Sequence, residues 1–397
     1  MIKFFYIHII NALILILLPF LWVLRGLVQA LLRISGCAPI SIWVGTPVLT
    51  VPNKIKSEKL LGFNSYSLVR YTTHLSNDFD FILSKYAKGN RFSYGALIFF
   101  SYITVALLAK QVHAFFDSGI IPSGKFRQFN SVELFTYKCL KIDLFFWAYG
   151  GDVRTREATI PLGNPNCCSN CTQVGNACIC STDLWKKNYK NINKVAKAVF
   201  SMGDMIEYTN GSNNNLYYWP INLSKDHGRY YLPIFPSTDL SKGLRIVHSS
   251  NHRDLKGTIY LQEAVDSLRS KNVDIELVVV ENLSNSQAME IYRTADIIFD
   301  QCLIGFHGYF ALEAMALGKP VMSFIRKPNQ YLLHAEECPI LNTHISTIEN
   351  DLHNLILRRD ELEKIGRLGR IYVEKYYSIE AFSARLGNAY RELGIIG

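Results

Sequence analysis

Between residues 243 and 321 the chain alternates short apolar runs with segments of helical periodicity. The apolar runs cover residues 244–248, 275–280 and 296–300, and helical spacing lies between them. Short apolar runs that alternate with helices of about ten to fifteen residues predict βαβ units and a parallel sheet. Ligands of such sheets bind beyond the carboxyl ends of the strands. Polar residues at those ends are therefore the first candidates for a functional site.

Two basic residues follow the first of these strands. Arg253 and Lys256 are three residues apart, so both can reach one side of a loop or helix start. A planar guanidinium and a compact ammonium both suit a diphosphate. Each residue taken alone is equally well explained as a solvated surface charge, and only the joint pattern favours a ligand.

A glycine-containing loop leads into a helix that should start near Tyr309. Gly305 and Gly308 let the backbone approach a ligand closely, and free N–H groups at the helix start attract anions. Glu313 lies one turn inside this helix. Its carboxylate only accepts hydrogen bonds, which suits the paired hydroxyls of a sugar or a ribose. The alternative for Glu313 is an ordinary helix acid. Together with the basic pair, this loop predicts a phosphate-bearing ligand.

These segments resemble a known family. Arg253-x-x-Lys256-Gly257, the glycine loop and the run Glu313-Ala-Met-Ala-Leu-Gly-Lys-Pro-Val resemble the donor-binding half of GT-B glycosyltransferases, specifically the retaining family 4 group. The resemblance implies that Arg253 and Lys256 bind the donor diphosphate and that Glu313 binds the nucleotide ribose. It also implies donor binding without a catalytic metal.

One position departs from the family pattern. The family usually has two glutamates spaced E-x7-E, and the first would fall at Gly305, where it would contact the donor sugar. The backbone from His307 to Tyr309 is the expected substitute. We therefore take Gly305, His307, Gly308 and Tyr309 as the candidate donor-binding loop.

The first half of the chain contains a second turn with family character. An apolar run at 142–147 predicts a core strand, and it ends in Tyr149-Gly-Gly-Asp152-Val-Arg154. This turn resembles the Gly-Asp-x-Arg turn of the family's acceptor-side domain. Asp152 is thus a candidate to orient an acceptor hydroxyl or the donor sugar; alternatively it caps a helix start or pairs with Arg154. Tyr149 stands where the family usually has a histidine, so no imidazole base is evident.

Five of the nine cysteines fall between residues 167 and 180. Four of them have spacings that suit a tetrahedral structural zinc: Cys168, Cys171, Cys178 and Cys180. Two disulfides or a loop of free thiols are the alternatives, and a cytoplasmic location disfavours disulfides. The pair Asp78-Phe-Asp80 imitates the metal motif of a different glycosyltransferase fold, but it lies far from the donor half and is better explained by chance or as a helix cap.

The N-terminus has about twenty mostly apolar residues from 4 to 24, enough to span a bilayer. Arg25 and Arg33 follow, and this basic bias predicts that the rest of the chain lies at the cytoplasmic face of the membrane. A helix lying in the inner leaflet is an alternative, because apolar spacing continues to Ile34. A buried core helix and an exported lipoprotein modified at Cys37 are two others.

The chain of 397 residues, with a formal charge of +9, is long enough for two or three domains. We expect an α/β chain of the GT-B class, with two Rossmann-like domains facing a cleft and an N-terminal membrane helix. The expected parts are the membrane-associated helix 1–36, the acceptor domain 37–225 with a Cys-rich insert at 164–182, the donor domain 226–380, entered through a linker at 226–242, and a helix crossing back at 381–397.

The predicted function is transfer of a sugar from a nucleotide-diphosphate sugar to a membrane-linked glycan or surface polysaccharide, with retention implied by the resemblance. The expected partners are that donor, a glycan or lipid-linked acceptor and the membrane. No nucleic-acid-binding module is recognisable, so the positive charge is assigned to the membrane and the donor. The alternative is a non-catalytic nucleotide-sugar-binding subunit of a glycan assembly complex.

Overall fold

The chain is described by a computed structural model. The structure describes residues 2–73, 76–87, 90–224, 231–237, 243–250 and 252–397. Of the predicted linker 226–242, only residues 231–237 fall within these ranges.

The first sheet has six strands. They are β1 Ile40–Gly45, β2 Asn64–Val69, β3 Phe81–Ile82, β4 Gln111–Ala114, β5 Asp143–Trp147 and β6 Ala198–Phe200. All neighbours pair in parallel, in the order β3-β2-β1-β4-β5-β6, which is the strand order of Rossmann domains. β4 and most of β5 are buried, as expected for strands covered by helices on both faces.

The second sheet has five strands. They are β7 Leu244–Ser249, β8 Ile275–Val280, β9 Ile297–Phe299, β10 Val321–Ser323 and β11 Leu341–Asn342. They are also parallel, in the order β11-β10-β9-β7-β8. This order reverses between β7 and β9, and doubly wound sheets bind their ligands at such a reversal.

Helices cover both sheets. Those of the first half are α1 Ile2–Ile34, α2 Val51–Lys59, α3 Leu83–Tyr86, α4 Arg91–Leu108, α5 Ser131–Cys139, α6 Arg156–Thr159 and α7 Thr182–Asn193. Those of the second half are α8 Arg253–Lys256, α9 Thr258–Ser270, α10 Asn285–Arg293, α11 Tyr309–Ala316, α12 Pro328–Tyr331, α13 Ile348–Leu357, α14 Leu362–Tyr377 and α15 Ile379–Glu392. Short 3₁₀ segments cover Ile160–Leu162, Gly203–Glu207 and Arg359–Glu361. α4 is followed closely by β4, so the apolar residues 94–116 combine most of a helix with a strand.

The chain crosses between the two halves twice at one place. The Ile221 amide donates to the Tyr377 carbonyl at 2.7 Å, so the outgoing and returning segments lie side by side. α15 then packs on α2, where Ser383 donates to the Ser57 carbonyl at 2.8 Å. The Tyr390 hydroxyl reaches the buried Glu58 carboxylate at 2.7 Å. The last helix is therefore part of the first domain's core.

α1 is long and apolar enough to cross a membrane from Tyr6 to Ile34. One face of it nevertheless packs on α4 and α5. Arg25 is buried there and donates to the carbonyls of Ala106 and Leu140, both at 2.9 Å. These carbonyls end α4 and α5, where helices leave acceptors unpaired. In this structure the Arg25 guanidinium caps two helices inside the protein, so the predicted location at the cytoplasmic face stays a prediction.

Candidate active site

A cavity of about 380 Å³ lies between the two domains, at the carboxyl ends of the second sheet's strands. The first domain contributes Leu49, Tyr149, Gly151, Arg154, Ala177 and Cys178 to its lining. The second contributes Ser249, His252, Leu255, Lys256, residues 280–283, Asn285, Ala288, Tyr292, Ile304, Tyr309, Phe310 and Glu313. The cavity therefore contains three of the predicted donor-binding residues: Lys256, Tyr309 and Glu313.

Lys256 is held at the reversal of the strand order. Its ammonium donates to the Ser249 carbonyl at 2.9 Å, at the end of β7, and contacts the Asp300 carboxylate at 3.0 Å, just after β9. Asp300 is fully buried; burial acts to raise its pKa, but Lys256 and the Gly308 amide outweigh this and leave the pKa lowered. A fixed cation thus faces the cavity, next to a permanent buried anion.

Arg253 lies at the rim of the cavity. It is half-exposed and makes a bidentate ion pair with Glu281, with N–O distances of 2.7 and 2.6 Å. Glu281 lines the cavity and Arg253 does not. The predicted direct contact with the diphosphate would require Arg253 to leave Glu281, so the structure assigns it to the rim.

Glu313 projects into the cavity from α11 and is almost completely buried. One of its carboxylate oxygens accepts from Asn285 Nδ2 at 2.9 Å and from the Tyr231 hydroxyl at 3.4 Å. Burial raises its pKa to about 7, although these hydrogen bonds and Lys256 oppose the shift. In this position the Glu313 carboxylate can accept hydrogen bonds from the hydroxyl groups of a ligand in the cavity.

The loop before α11 is only partly in the cavity. Tyr309 lines it, but the Gly308 amide donates to Asp300 at 2.6 Å and is not free for a ligand. His307 is buried behind the loop, with Nδ1 3.2 Å from the Gly308 carbonyl oxygen. Gly308 and His307 therefore position the start of α11 in this structure, and their predicted contribution to the donor site stays a prediction.

Gly305 has a structural reason to be glycine. Its φ is +93°, and a Cβ there would lie 2.6 Å from the Arg326 guanidinium. Arg326 also donates to the Ile304 carbonyl at 2.7 Å. Arg326, from the loop after β10, thus occupies the space that a glutamate side chain at position 305 would need. Gly305 itself does not line the cavity.

Restoring the family residue is expected to harm the protein. Gly305→Glu forces a side chain into a conformation that costs about 1–3 kcal/mol and displaces Arg326. Gly305→Ala, which shares the backbone strain but adds no carboxylate, is the matched control. Urea unfolding of both variants checks this; a Gly305→Glu protein as stable as the parent would contradict the strain argument.

Asp152 is fully buried and does not reach the cavity. Its carboxylate accepts from the backbone amides of Tyr149 at 2.9 Å, Gly150 at 3.0 Å and Phe116 at 3.4 Å. Burial, with a contribution from Asp117, raises its pKa to about 7. In this structure the carboxylate holds the turn that presents Tyr149 and Arg154, and the predicted contact with a substrate hydroxyl stays a prediction.

The Cys-rich insert reaches the second domain. The amide and hydroxyl of Thr172 both donate to Asp254 of α8, at 3.1 and 2.5 Å, and Cys178 lines the cavity. None of the nine cysteines forms a disulfide. Among the described residues, no three of the five sulfur atoms of the insert lie within 4.8 Å of one another. The expected zinc site at Cys168, Cys171, Cys178 and Cys180 therefore stays a prediction and would require the loop to rearrange.

Sequence reasoning missed several residues of the site. Asp300 ends an apolar strand, so the rule for parallel sheets was signal enough to find it. His252 lines the cavity beside Lys256, and burial lowers its pKa, which favours a neutral imidazole. Asn285 begins α10 and gave no separate signal, because only the folded chain brings it to Glu313.

Solved structures with the same two-domain architecture match nearly the whole chain. Sucrose-phosphate synthase from Thermosynechococcus elongatus covers 90% of this chain and 99% of its own, with 12% identity and a TM-score of 0.57. A glycosyltransferase from Rickettsia africae covers 91% and 100%, with 13% identity and a TM-score of 0.54. Anabaena HepE, solved with UDP-glucose, covers 89% and 99%, with 10% identity and a TM-score of 0.52. No family model and no curated protein matches the sequence. These likenesses confirm the predicted GT-B fold.

Proposed function

We propose that this protein is a glycosyltransferase that moves a sugar from a nucleotide-diphosphate sugar to a membrane-linked glycan or surface polysaccharide. The observation that carries the proposal is the joint placement of Lys256 and Glu313 in one interdomain cavity, at the reversal of strand order. A cation and a carboxylate at that spot match the diphosphate and ribose of one donor. The likeness to HepE, solved with UDP-glucose, supports a nucleotide sugar as the ligand.

The chemistry follows from the charges. When the bond between sugar and diphosphate breaks, negative charge grows on the leaving phosphate oxygen, and a fixed ammonium at that place lowers the barrier. Lys256 supplies it, because Ser249 and Asp300 hold its side chain in position. Retention of configuration, implied by the family resemblance, lets the leaving diphosphate take the acceptor proton, so no protein base is required.

The two domains are in direct contact around this cavity. Glu207 of the first domain binds Lys327 at 2.6 Å and the Tyr331 hydroxyl at 2.5 Å, and Asn53 donates to the Tyr309 hydroxyl at 3.2 Å. A closed cleft excludes water and limits hydrolysis of the donor. The apolar α1 supports a membrane-linked acceptor and a position at the cytoplasmic face of the membrane, where nucleotide sugars are available.

The second candidate is a non-catalytic subunit that binds nucleotide sugars. One observation favours it: position 305 is a glycine and has no carboxylate. The space that a side chain at this position would enter is occupied by the Arg326 guanidinium.

One experiment separates the two candidates. The purified protein is screened by thermal shift against nucleotide diphosphates and their sugars, and release of nucleotide from the best donor is measured with and without membrane extract. A glycosyltransferase releases nucleotide when the extract supplies acceptor, whereas a subunit binds donor without release. If no nucleotide sugar raises the melting temperature, both candidates fail.

A further inference from the structure

The outward face of α1 is apolar from Ile9 to Ile34. Its exposed side chains recur every three or four residues, which places them on one face: Ile9, Leu13, Ile16, Phe20, Val23, Leu27, Leu31 and Ile34. The helix of 33 residues is about 50 Å long. Soluble monomers rarely leave so large a continuous apolar surface uncovered.

The opposite face of α1 is fixed to the first domain at both ends. Near its start, Asn130 at the head of α5 donates to the Asn11 side chain at 3.2 Å. Further along, Arg25 caps α4 and α5, and Gln29 donates to the carbonyls of Leu107 and Leu108 at 2.9 and 3.0 Å. Ile14 and Leu21 are buried between these anchor points, and Ile7 and Ile10 are buried just before the first of them.

This docking is incompatible with a helix that crosses the bilayer alone. A spanning helix needs about 30 Å of lipid on all sides. The segment from Asn11 to Gln29, about 27 Å long, has protein on one side throughout. To span, α1 would either take Lys138 of α5, which is exposed, into the hydrocarbon or abandon the buried Arg25 contacts.

The charges around α1 favour a lipid surface over a second copy of the chain. Arg33, Lys138 and Lys141 are exposed near the C-terminal end of α1, where Arg25 meets the end of α5. They would attract anionic headgroups and would repel the same residues of an identical copy. The outward face itself has no charged residue that could set the register of a helical pair.

We propose that α1 lies in the plane of the membrane as an integral part of the first domain, with its outward face in the anionic cytoplasmic leaflet. The protein is then monotopic, and its N-terminus and C-terminus are on the same side. The membrane position is argued from α1 itself and does not depend on the proposed function. Only its biological reason rests on that function: it would hold the cleft at the surface where a membrane-linked acceptor resides.

The first test uses the full chain and liposomes of phosphatidylethanolamine and phosphatidylglycerol. Ile16→Glu and Leu27→Glu each put a carboxylate on the outward face, and flotation should show at least about tenfold weaker liposome binding. Ile371→Glu, at an exposed apolar position on α14, is the matched control and should float like the parent. Circular dichroism should give the parent's melting temperature for all three. Unchanged flotation of both α1 variants would overturn the proposal.

The second test reads topology in inverted vesicles and intact spheroplasts of a bacterial expression host. Tags at the two termini should both be cleaved by protease in the vesicles and both be protected in the spheroplasts. Cleavage of the N-terminal tag in intact spheroplasts would show that α1 spans the membrane. A stable dimer that does not bind liposomes would show that a second copy of the chain covers the outward face. Either result overturns the proposal. Donor-dependent nucleotide release is measured in parallel, so a failure of the membrane proposal is distinguishable from a failure of the enzymatic one.

Discussion

Lys256→Ala is expected to lower kcat about 100- to 1000-fold. In the proposed reaction the ammonium faces the leaving diphosphate as it develops charge, and removal of one such fixed donor has that size of effect in other enzymes. KM for the donor should change less, because the interaction strengthens as the bond breaks. The measurement is nucleotide release under saturating donor, with membrane extract as the source of acceptor.

The same substitution also removes the partner of a buried carboxylate. Asp300 has no solvent exposure, and an unpaired buried charge costs about 3–5 kcal/mol. A fall in activity could therefore reflect unfolding. The double variant Lys256→Ala with Asp300→Asn removes both charges and keeps the side-chain shape at position 300. It should recover most of the stability in urea unfolding while kcat stays low.

The matched control is Lys271→Ala, which removes an exposed lysine paired with Glu349 in the same domain. It should leave both activity and the unfolding midpoint unchanged. If the double variant turned over donor as fast as the parent, the role of Lys256 would be purely structural. The proposed catalytic role would then be withdrawn.

The sequence was most informative about the second domain because its strands are continuous apolar runs and its candidate site residues follow strand ends. Lys256 and Glu313 could be assigned from spacing and family resemblance, and both line the cavity. Arg253 has the same sequence signal as Lys256, yet it turns outward to Glu281. A spacing of three residues shows that two side chains can converge, but their ion-pair partners decide whether they do.

The sequence was less informative where a polar side chain hydrogen-bonds to the backbone. Asp152 has the motif of a site residue, but three amides of its own domain occupy the carboxylate. Arg25 has the position of a charge flanking a membrane span, but it caps α4 and α5. The Arg25 contacts join segments that are distant in the sequence, and most of the Asp152 contacts form within one tight turn. Local sequence patterns therefore do not predict either set of contacts. The contact of the Cys-rich insert with α8 was missed for the same reason.

The second large effect concerns Glu313 and pH. In the free protein burial raises the pKa of this carboxyl to about 7, whereas the ionised form is the acceptor that ribose hydroxyls require. Donor binding should therefore release a proton from Glu313 below that pH. Affinity for UDP-glucose, used as the probe, should weaken up to about tenfold for each pH unit below 7 and level off above it.

Glu313→Gln removes both the charge and the titration. Its affinity at pH values above 7 should fall about tenfold to a hundredfold, the scale of a lost hydrogen bond to a charged group, and should no longer depend on pH. Calorimetric titration across this range checks both statements, with the exposed Glu290→Gln as the control that keeps the parent's pH profile. A pH profile that survives in Glu313→Gln would assign the proton to another group.

Stability should move in the opposite direction. A carboxyl whose folded pKa is raised stabilises the free protein at pH values below its unfolded pKa, and this contribution is lost as pH rises through the folded value of about 7. Above pH 7 the free parent therefore holds an unfavourable buried charge, and Glu313→Gln should unfold at a higher urea concentration than the parent. Higher stability combined with weaker donor binding in Glu313→Gln is expected only if the carboxylate serves to bind the donor. If Glu313 instead stabilised the fold, its replacement would lower both the free energy of unfolding and the donor affinity.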